Sequence, residues 1–235
     1  MKLVNRDIAI LFFSRSSCEE ANQKQWFSGK SQANLQVARC LSEQISEVLK
    51  KTGLAVFHFH EGNQVGSTFG ERLTNALQEV FHLGYDGVIA VGNDTPELIS
   101  IDVNDVAGRL AQGDCVLGPS LRGGAYLIGL TKKSFNYHSI RALPWKKAIL
   151  FESFCDLLRS GGHKIELLAA LRDVNSFHDL LALLRNSRIP LDLKRVIKLI
   201  LIHFTNRFPE IKTTFRVSTL SVRSLRAPPA LYSIL

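Results

Sequence analysis

Short apolar runs alternate with amphipathic stretches over residues 8–185. The run IAILFF at 8–13 has no polar interruption, as expected for a strand covered on both faces of its sheet. Apolar residues then recur at helical spacing from Leu35 to Val48, and Gly53 is a stop signal. The same patterns predict further strands at 54–59, 87–92, 115–118, 125–130 and 164–169, and further helices at 69–80, 100–112 (capped by Ser100), 149–159 and 176–185.

This order of strands and helices predicts an α/β fold with a doubly wound, mostly parallel sheet and helices on both faces. In such sheets ligands bind beyond the carboxyl ends of the strands. Asp94 follows the third strand and lies between Gly92 and Pro96. Both a plain turn and an ion or phosphate site explain an aspartate there. The strand-end position favours a site, and it leaves the ligand unidentified.

Three segments together resemble a known family: VGNDTPEL at 91–98, DCVLGPSLRGGAYLIGL at 114–130 and LRDVNSFHDLLAL at 171–183. They are similar, in order and spacing, to a bacterial family within the GT-A nucleotide-diphospho-sugar transferases, the group labelled DUF2064. The upstream segment 67–94, with Gly-Glu-Arg opening a helix, also fits. The resemblance covers about residues 8–185. It implies a GT-A fold and says little about the substrate.

The resemblance implies that Asp94 corresponds to the metal-binding aspartate of GT-A enzymes. Mg²⁺ or Mn²⁺ would suit the position, because such hard cations take carboxylate, diphosphate and water oxygens. Asn93 stands where an Asp-x-Asp arrangement has its first acid. On the late loop, Asn175 matches a second metal ligand, with Asp173 as its neighbour. Asp173, Asn175 and Ser176 are also residues that a helix N-terminus prefers, so capping remains an alternative.

Residues near the strand ends are candidates for holding a nucleotide or nucleotide-sugar. Gly70 and the following amides open a helix, which is an anion-binding arrangement, and Arg72 adds donors for phosphate or base. Gly123 and Gly124 lie where the backbone must approach a ligand or another strand closely. The nucleotide-binding candidates are Ser14, Arg15, Lys24, Gly70, Arg72 and Asn93, and the substrate-binding candidates are Arg122, Gly123 and Gly124.

Two departures from the family pattern concern these candidates. The acid that precedes Gly-Gly in the family is Arg122 here, so any contact made by that acid is lost or inverted. The family's first loop is a phosphate-holding Pro-Gly-x-x-Lys-Thr-Arg, whereas residues 13–27 read FSRSSCEEANQKQWF. Glu19 and Glu20 bring negative charge there, which costs affinity for a diphosphate unless the two carboxylates turn outward.

Charge divides the chain into a GT-A-like domain at 1–185 and a basic extension at 186–235. The extension holds nine of the 29 Lys and Arg but only two of the 21 Asp and Glu. A helix is predicted from Pro190 to residue 208, and β-like alternation follows. The extension could dock on the core, cover a sheet edge, exchange with a second subunit in a homodimer, or lie on an anionic membrane surface. Nucleic acid is disfavoured because no basic motif with interleaved aromatic residues is present.

The main hypothesis is a metal-dependent glycosyl or nucleotidyl transferase, and the sequence does not choose between the two reactions. No residue stands out as a general base, so no catalytic residue is assigned. One alternative is a non-catalytic GT-A binding protein with a degraded donor loop, and another is a membrane-peripheral transferase that uses its basic tail. The four cysteines are scattered, which indicates reduced thiols and a cytoplasmic location.

Overall fold

The computed structural model describes residues 7–205, which form a six-stranded sheet with helices around it. The strands are β1 Ile8–Phe13, β2 Ala55–Phe59, β3 Gly87–Val91, β4 Cys115–Pro119, β5 Ala125–Thr131 and β6 Ile165–Leu167. The helices are α1 Ser17–Lys24, α2 Ser31–Lys50, α3 Phe69–His82, α4 Val103–Ala111, α5 Tyr137–Arg141, α6 Leu150–Ser160, α7 Phe177–Arg185 and α8 Leu191–Thr205. Each of the six strands predicted within residues 8–185 is therefore present.

The sheet has the order β2-β1-β3-β5-β4-β6. β1 pairs in parallel with both β2 and β3, and β4 pairs in parallel with β6. β5 is antiparallel to both of its neighbours, β3 and β4. The prediction of a mostly parallel sheet is confirmed. Because β5 alone runs backwards, it begins at the same edge where the other five strands end.

Both faces of the sheet are covered, which explains the uninterrupted apolar run of β1. Ala9, Leu11 and Phe13 point to the face packed by α3, α5 and α6. Ile8, Ile10 and Phe12 point to the opposite face, which α2 and α4 cover. All six side chains are buried, so an alternating polar residue anywhere in this strand would lose its water without a partner.

Two local predictions differ from the structure. The cap of α4 is Asp102, whose carboxylate accepts from the amides of Asn104 and Asp105 at 3.0 and 3.2 Å, while Ser100 ends a short 3-10 helix that begins at Pro96. Proline at the start of that 3-10 helix gives the chain an extra turn before α4 begins. The first loop also differs, because residues 17–24 form α1, capped by Ser16.

The first part of the basic extension packs on the body of the protein. Ile189 and four apolar residues of α8 are buried in a cluster shared with α1, α2 and α7; the four are Leu193, Ile197, Ile200 and Leu201. Docking on the core is therefore confirmed for α8. The division at 185/186 stays a prediction, as do the homodimer and membrane alternatives. The predicted β-like tail lies outside the described residues, and within 7–205 no helix is both long and apolar enough to cross a bilayer.

Candidate active site

A cavity of about 410 Å³ opens at the edge where the parallel strands end. Its wall is formed by residues that follow β1 and β3, by the turn from β4 into β5, by the start of α3, and by the loops at 145–148 and 173–175. Nine of the residues predicted for a site line it: Ser14, Arg15, Arg72, Asn93, Asp94, Arg122, Gly124, Asp173 and Asn175. Lys24, Gly70 and Gly123 are outside the lining.

The loop that carries Asp173 is tied directly to Asp94. The amide of Val174 donates to the carbonyl oxygen of Asp94 at 2.7 Å, and Thr95 Oγ1 donates to Asp173 Oδ1 at 2.8 Å. These two bonds bring together two aspartates that are far apart in sequence. Burial and the nearby charge of Asp94 raise the pKa of Asp173, while the hydrogen bond from Thr95 opposes that rise. The two negative charges therefore lie close enough to interact.

Lys24 is the cation that approaches this pair. Its ammonium lies 3.2 Å from Asp94 Oδ2 and 2.8 Å from Glu20 Oε1, and it also donates to the carbonyl of Val174 at 3.3 Å. Only 11% of the Lys24 side chain is exposed. Burial lowers the pKa of Lys24, but the charges of Asp94 and Glu20 outweigh that effect and leave it raised. The lysine is therefore charged, and it occupies one oxygen of Asp94.

Glu20 lies inward, contrary to the outward arrangement that a diphosphate loop would favour. Its carboxylate is 3.0 Å from Arg15 Nη1 and 2.8 Å from Lys24 Nζ, and 5% of its side chain is exposed. The negative charge of Glu20 is thus neutralised by Arg15 and Lys24. Arg15 and Lys24 are therefore both paired with a carboxylate of this chain.

Arg122 is held by the loop and helix on the far side of the cavity. Its Nη2 donates to both oxygens of Asp179 at 2.9 Å. Asp179 also accepts from the amide of Asn175 at 3.1 Å and exchanges bonds with Ser176 in a capping box at the start of α7. Arg122 therefore fixes the 173–176 loop, although it still lines the cavity. The side chain of Asn175 lies on the exposed side of that loop, beside the cavity.

The start of α3 is closed to an external anion by its own side chains. Glu71 Oε2 accepts from the amides of Ser67 and Thr68 at 2.9 and 3.2 Å, and Thr68 Oγ1 accepts from the amide of Glu71 at 3.1 Å. Hydrogen bonds from Ser67 and Arg141 lower the pKa of Glu71 to about 2. Gly70 lies against Trp145, where a Cβ would be 2.4 Å from the indole Cδ1. The structure therefore uses Gly70 for packing and does not bring it to the cavity.

Gly123 allows two loops to touch. Its φ is +81°, and a Cβ there would be 1.9 Å from the carbonyl oxygen of Ala148. Its own carbonyl accepts from the amide of Phe151 at 3.0 Å. The sequence suggested a close backbone approach to a ligand or to another strand, and Gly123 instead approaches the loop at Ala148. Gly124 next to it does line the cavity.

The segment Trp145-Lys146-Lys147-Ala148 lines the cavity and was not predicted as part of a site. It belongs to no regular helix or strand, so hydrophobic periodicity does not mark it. Two consecutive lysines were the available signal, since neighbouring cations attract an anionic ligand.

The donors near Asp94 suit a hard cation in kind. The carboxylates of Asp94 and Asp173 and the amide oxygen of Asn175 are the oxygen ligands that Mg²⁺ prefers. They are few, and within residues 7–205 no group of three or more His, Cys, Asp and Glu is arranged to hold a metal ion. A divalent ion here would depend on further oxygens from a ligand, and it would share Asp94 with Lys24.

The fold, with its cavity at the carboxyl edge of a mostly parallel sheet, is that of the GT-A nucleotide-diphospho-sugar transferases. A proposed nucleotide-diphospho-sugar transferase from Desulfovibrio desulfuricans G20 has the same fold, with a TM-score of 0.69 and 20% identity over 84% of this chain and 98% of that one. The chain belongs to the family described as "Uncharacterized protein conserved in bacteria (DUF2064)", whose sequence model matches residues 29–147. Asp94 and Arg122 lie inside the matched segment.

Other solved structures are similar at a lower level. Rv0371c from Mycobacterium tuberculosis H37Rv, in complex with manganese, is 17% identical over 76% of this chain and 98% of that one, with a TM-score of 0.39. A cytidylyltransferase from Leptospira borgpetersenii serovar Hardjo-bovis is 14% identical over 83% and 95%, with a TM-score of 0.36. Similarities this low establish neither a metal nor a reaction for this chain. No curated protein matches it.

Proposed function

We propose that this protein is a transferase that binds a nucleotide or nucleotide-sugar in the strand-end cavity. The observation that supports this best is the meeting of Asp94 and Asp173 on one wall, with Arg72, Lys146 and Lys147 also in the lining. A cavity with acids and cations on different parts of its wall suits a ligand that combines polar hydroxyl groups with an anionic group. The position also agrees with the rule for ligand sites in open α/β sheets.

A divalent cation, Mg²⁺ or Mn²⁺, is part of this proposal. Asp94 and Asp173 would hold it, with Asn175 as a further oxygen donor. When bound, such an ion neutralises charge on a diphosphate and polarises a phosphoryl oxygen. The residues of the chain then orient the ligand: Asn93 and Gly124 also line the cavity, and Arg122 keeps the 173–176 loop in place. Glycosyl and nucleotidyl transfer both remain open within the proposal.

A second candidate function is a non-catalytic nucleotide-binding protein on the same scaffold. The inward position of Glu20 favours it, because this carboxylate neutralises Arg15 and Lys24, which stand in the loop where the family holds phosphate. A protein of this kind would bind a nucleotide without turning it over. Binding and turnover therefore have to be measured separately.

The test is the melting temperature against a panel of nucleoside diphosphates, nucleoside triphosphates and nucleotide-sugars, each with and without MnCl₂. A ligand at a hundredfold excess over its Kd stabilises the folded state by about 2.7 kcal/mol, which raises the melting temperature by several degrees. We expect such a rise with at least one nucleotide for the wild type, and a much smaller one for Asp94→Ala. Asp156→Ala is the control, because that carboxylate is 77% exposed on α6, away from the cavity.

The outcomes separate the claims. If no nucleotide raises the melting temperature under either condition, the transferase proposal and the binding-protein alternative both fail. A rise that Asp94→Ala leaves unchanged contradicts only the role of Asp94. A rise that is equal with and without Mn²⁺ contradicts the metal. Binding without hydrolysis or transfer of the bound nucleotide favours the non-catalytic alternative.

A further inference from the structure

We propose that a phosphate or diphosphate group of the ligand binds at a basic rim of the cavity formed by Arg72, Lys146 and Lys147. This deepens the proposed function and rests on it, since it assigns the place where the anionic part of that ligand lies. It places the phosphate contacts on the side chains of Arg72, Lys146 and Lys147, and not on Arg15 and Lys24 of the first loop, which pair with Glu20.

The segment 145–148 is anchored at its first residue. The indole of Trp145 packs against Phe69, with ring centroids 5.4 Å apart, and its Nε1 donates to the carbonyl of Ile140 at 2.9 Å. Gly70 leaves room for this ring, because any larger residue there would collide with it. The start of α3, which carries Arg72, is thereby joined to the segment that carries the two lysines.

The same segment is anchored at its last residue by the contact between Ala148 and Gly123. Lys146 and Lys147 lie between these two fixed ends, and both side chains are exposed at the cavity. Lys146 has a φ of 66°, a left-handed conformation that costs energy for a residue with a side chain. The lysine pair is thus held between two packed ends.

The charges of the rim are not neutralised by the protein. The other cations of the site each have a carboxylate: Arg15 has Glu20, and Arg122 has Asp179. Within the described residues 7–205, Arg72, Lys146 and Lys147 form no ion pair. Lys146 Nζ lies 5.9 Å from the centre of the Phe69 ring, and Arg72 Nη1 makes only a long bond of 3.4 Å to the carbonyl of Ser67. Three cations without acidic partners around one concave surface attract anions.

The arrangement of charge within the cavity selects the kind of anion. Asp94 and Asp173 repel an anionic group unless a cation intervenes, whereas the rim attracts it. Three cations match the two or more negative charges of a phosphate or diphosphate better than the single charge of a carboxylate. Arg72 adds a planar fork of donors that suits phosphate oxygens. A phosphate or diphosphate is therefore the expected group.

The experiment compares the variant Lys146→Gln/Lys147→Gln with Lys132→Gln/Lys133→Gln in the full-length protein. The second pair is also two exposed consecutive lysines, but it follows the end of β5, at the opposite edge of the sheet from the cavity. Binding of inorganic pyrophosphate, uridine diphosphate and glucose 6-phosphate is measured by calorimetry for both variants and the wild type. Equal melting temperatures without ligand show that both variants are folded.

We expect the wild type to bind at least one of the three probes, and the 146/147 variant to bind it with a Kd raised by roughly tenfold or more, since one lost charge-assisted contact is worth about that factor. The 132/133 variant should bind as the wild type does. Weaker binding of both pyrophosphate and uridine diphosphate by the 146/147 variant assigns the rim to a nucleotide diphosphate. Weaker binding of glucose 6-phosphate alone assigns the rim to a phosphorylated acceptor.

Three results would overturn the proposal: no binding of any probe by the wild type, an equal effect of the two variants, or no effect of the 146/147 variant. The proposed function is judged by the nucleotide panel instead. A nucleotide that stabilises the wild type and the 146/147 variant equally leaves that function standing while the rim assignment fails. Probe binding that depends on the rim, without any nucleotide in the panel binding, supports the rim assignment while the proposed function fails.

Discussion

Replacing Lys24 by methionine is expected to lower the free energy of unfolding by about 3 kcal/mol, because removing one partner of a buried ion pair leaves the other charge only partly compensated. The carboxylate left behind is Glu20, whose side chain is 5% exposed and which then keeps only Arg15. Methionine fills a similar volume, so the effect of the change comes from charge and not from a cavity. Urea denaturation at neutral pH measures it.

The control for this variant is Lys50→Met. Lys50 lies 3.2 Å from Glu47, but both side chains are mostly exposed, so the expected loss is below about 1 kcal/mol. Adding Glu20→Gln to Lys24→Met should restore part of the stability, since the buried charge is then removed as well. Equal losses for Lys24→Met and Lys50→Met would show that the contacts around Lys24 do not stabilise the fold.

The Lys24→Met variant also tests whether a divalent metal ion binds at Asp94. In the wild type the ammonium of Lys24 occupies Asp94 Oδ2, so a divalent ion has to displace it or share the carboxylate. Lys24→Met removes this competitor, and Mn²⁺ should then bind more tightly in an electron paramagnetic resonance titration. An unchanged or weaker affinity for Mn²⁺ would contradict a metal at Asp94 that competes with Lys24.

Asp179→Ala is expected to lower the free energy of unfolding by about 3 kcal/mol. This is the low end of the range for a buried ion pair, because solvent reaches the partner Arg122. The carboxylate is nearly inaccessible, and it accepts from Arg122, from Ser176 and from the amide of Asn175. Its loss removes the N3 half of the capping box of α7 and releases the loop that holds Asp173. Denaturant unfolding gives the magnitude.

The pH dependence of the free energy of unfolding tests whether the charge of Asp179 causes its contribution to stability. Burial raises the pKa of Asp179, but hydrogen bonds from Ser176 and Arg122 outweigh it and leave the pKa below its usual value. A carboxylate with a lowered folded-state pKa contributes stability above the unfolded pKa of about 3.9, and that contribution disappears as the pH falls through the folded value. The gap in stability between wild type and Asp179→Asn should therefore be full at pH 6 and narrow below about pH 4. A gap that is constant with pH would mean that the charge does not contribute.

Much of the fold follows from the sequence because it is encoded locally. The six residues of β1 coincide with the predicted run, since a strand buried on both faces tolerates no polar residue. The end of β3 and the position of Asp94 were predictable for the same reason. The N-cap of α4 was harder to predict, because Ser100 and Asp102 both suit that position and only the 3-10 turn from Pro96 decides between them.

The candidate site was predictable in outline only. The rule for strand ends placed Asp94 at a site, and the family resemblance added Asp173 and Asn175, which no local pattern connects to it. The contact between Lys24 and Asp94 joins residues 70 apart and depends on α1, which the sequence did not reveal as a helix. The basic rim was missed because Lys146 and Lys147 approach the cavity through two anchors, Trp145 and Ala148, that are visible only in three dimensions.

Hydrogen exchange with and without bound nucleotide decides whether the strand-end cavity is the binding site. The ligand is the nucleotide or nucleotide-sugar that raises the melting temperature most, at saturating concentration. We predict slower exchange of amides at 92–95, 145–148 and 173–176, which line or border the cavity, and unchanged exchange at 132–135, at the opposite edge of the sheet. Slower exchange only outside the cavity segments, or no nucleotide that binds at all, would contradict the proposed function.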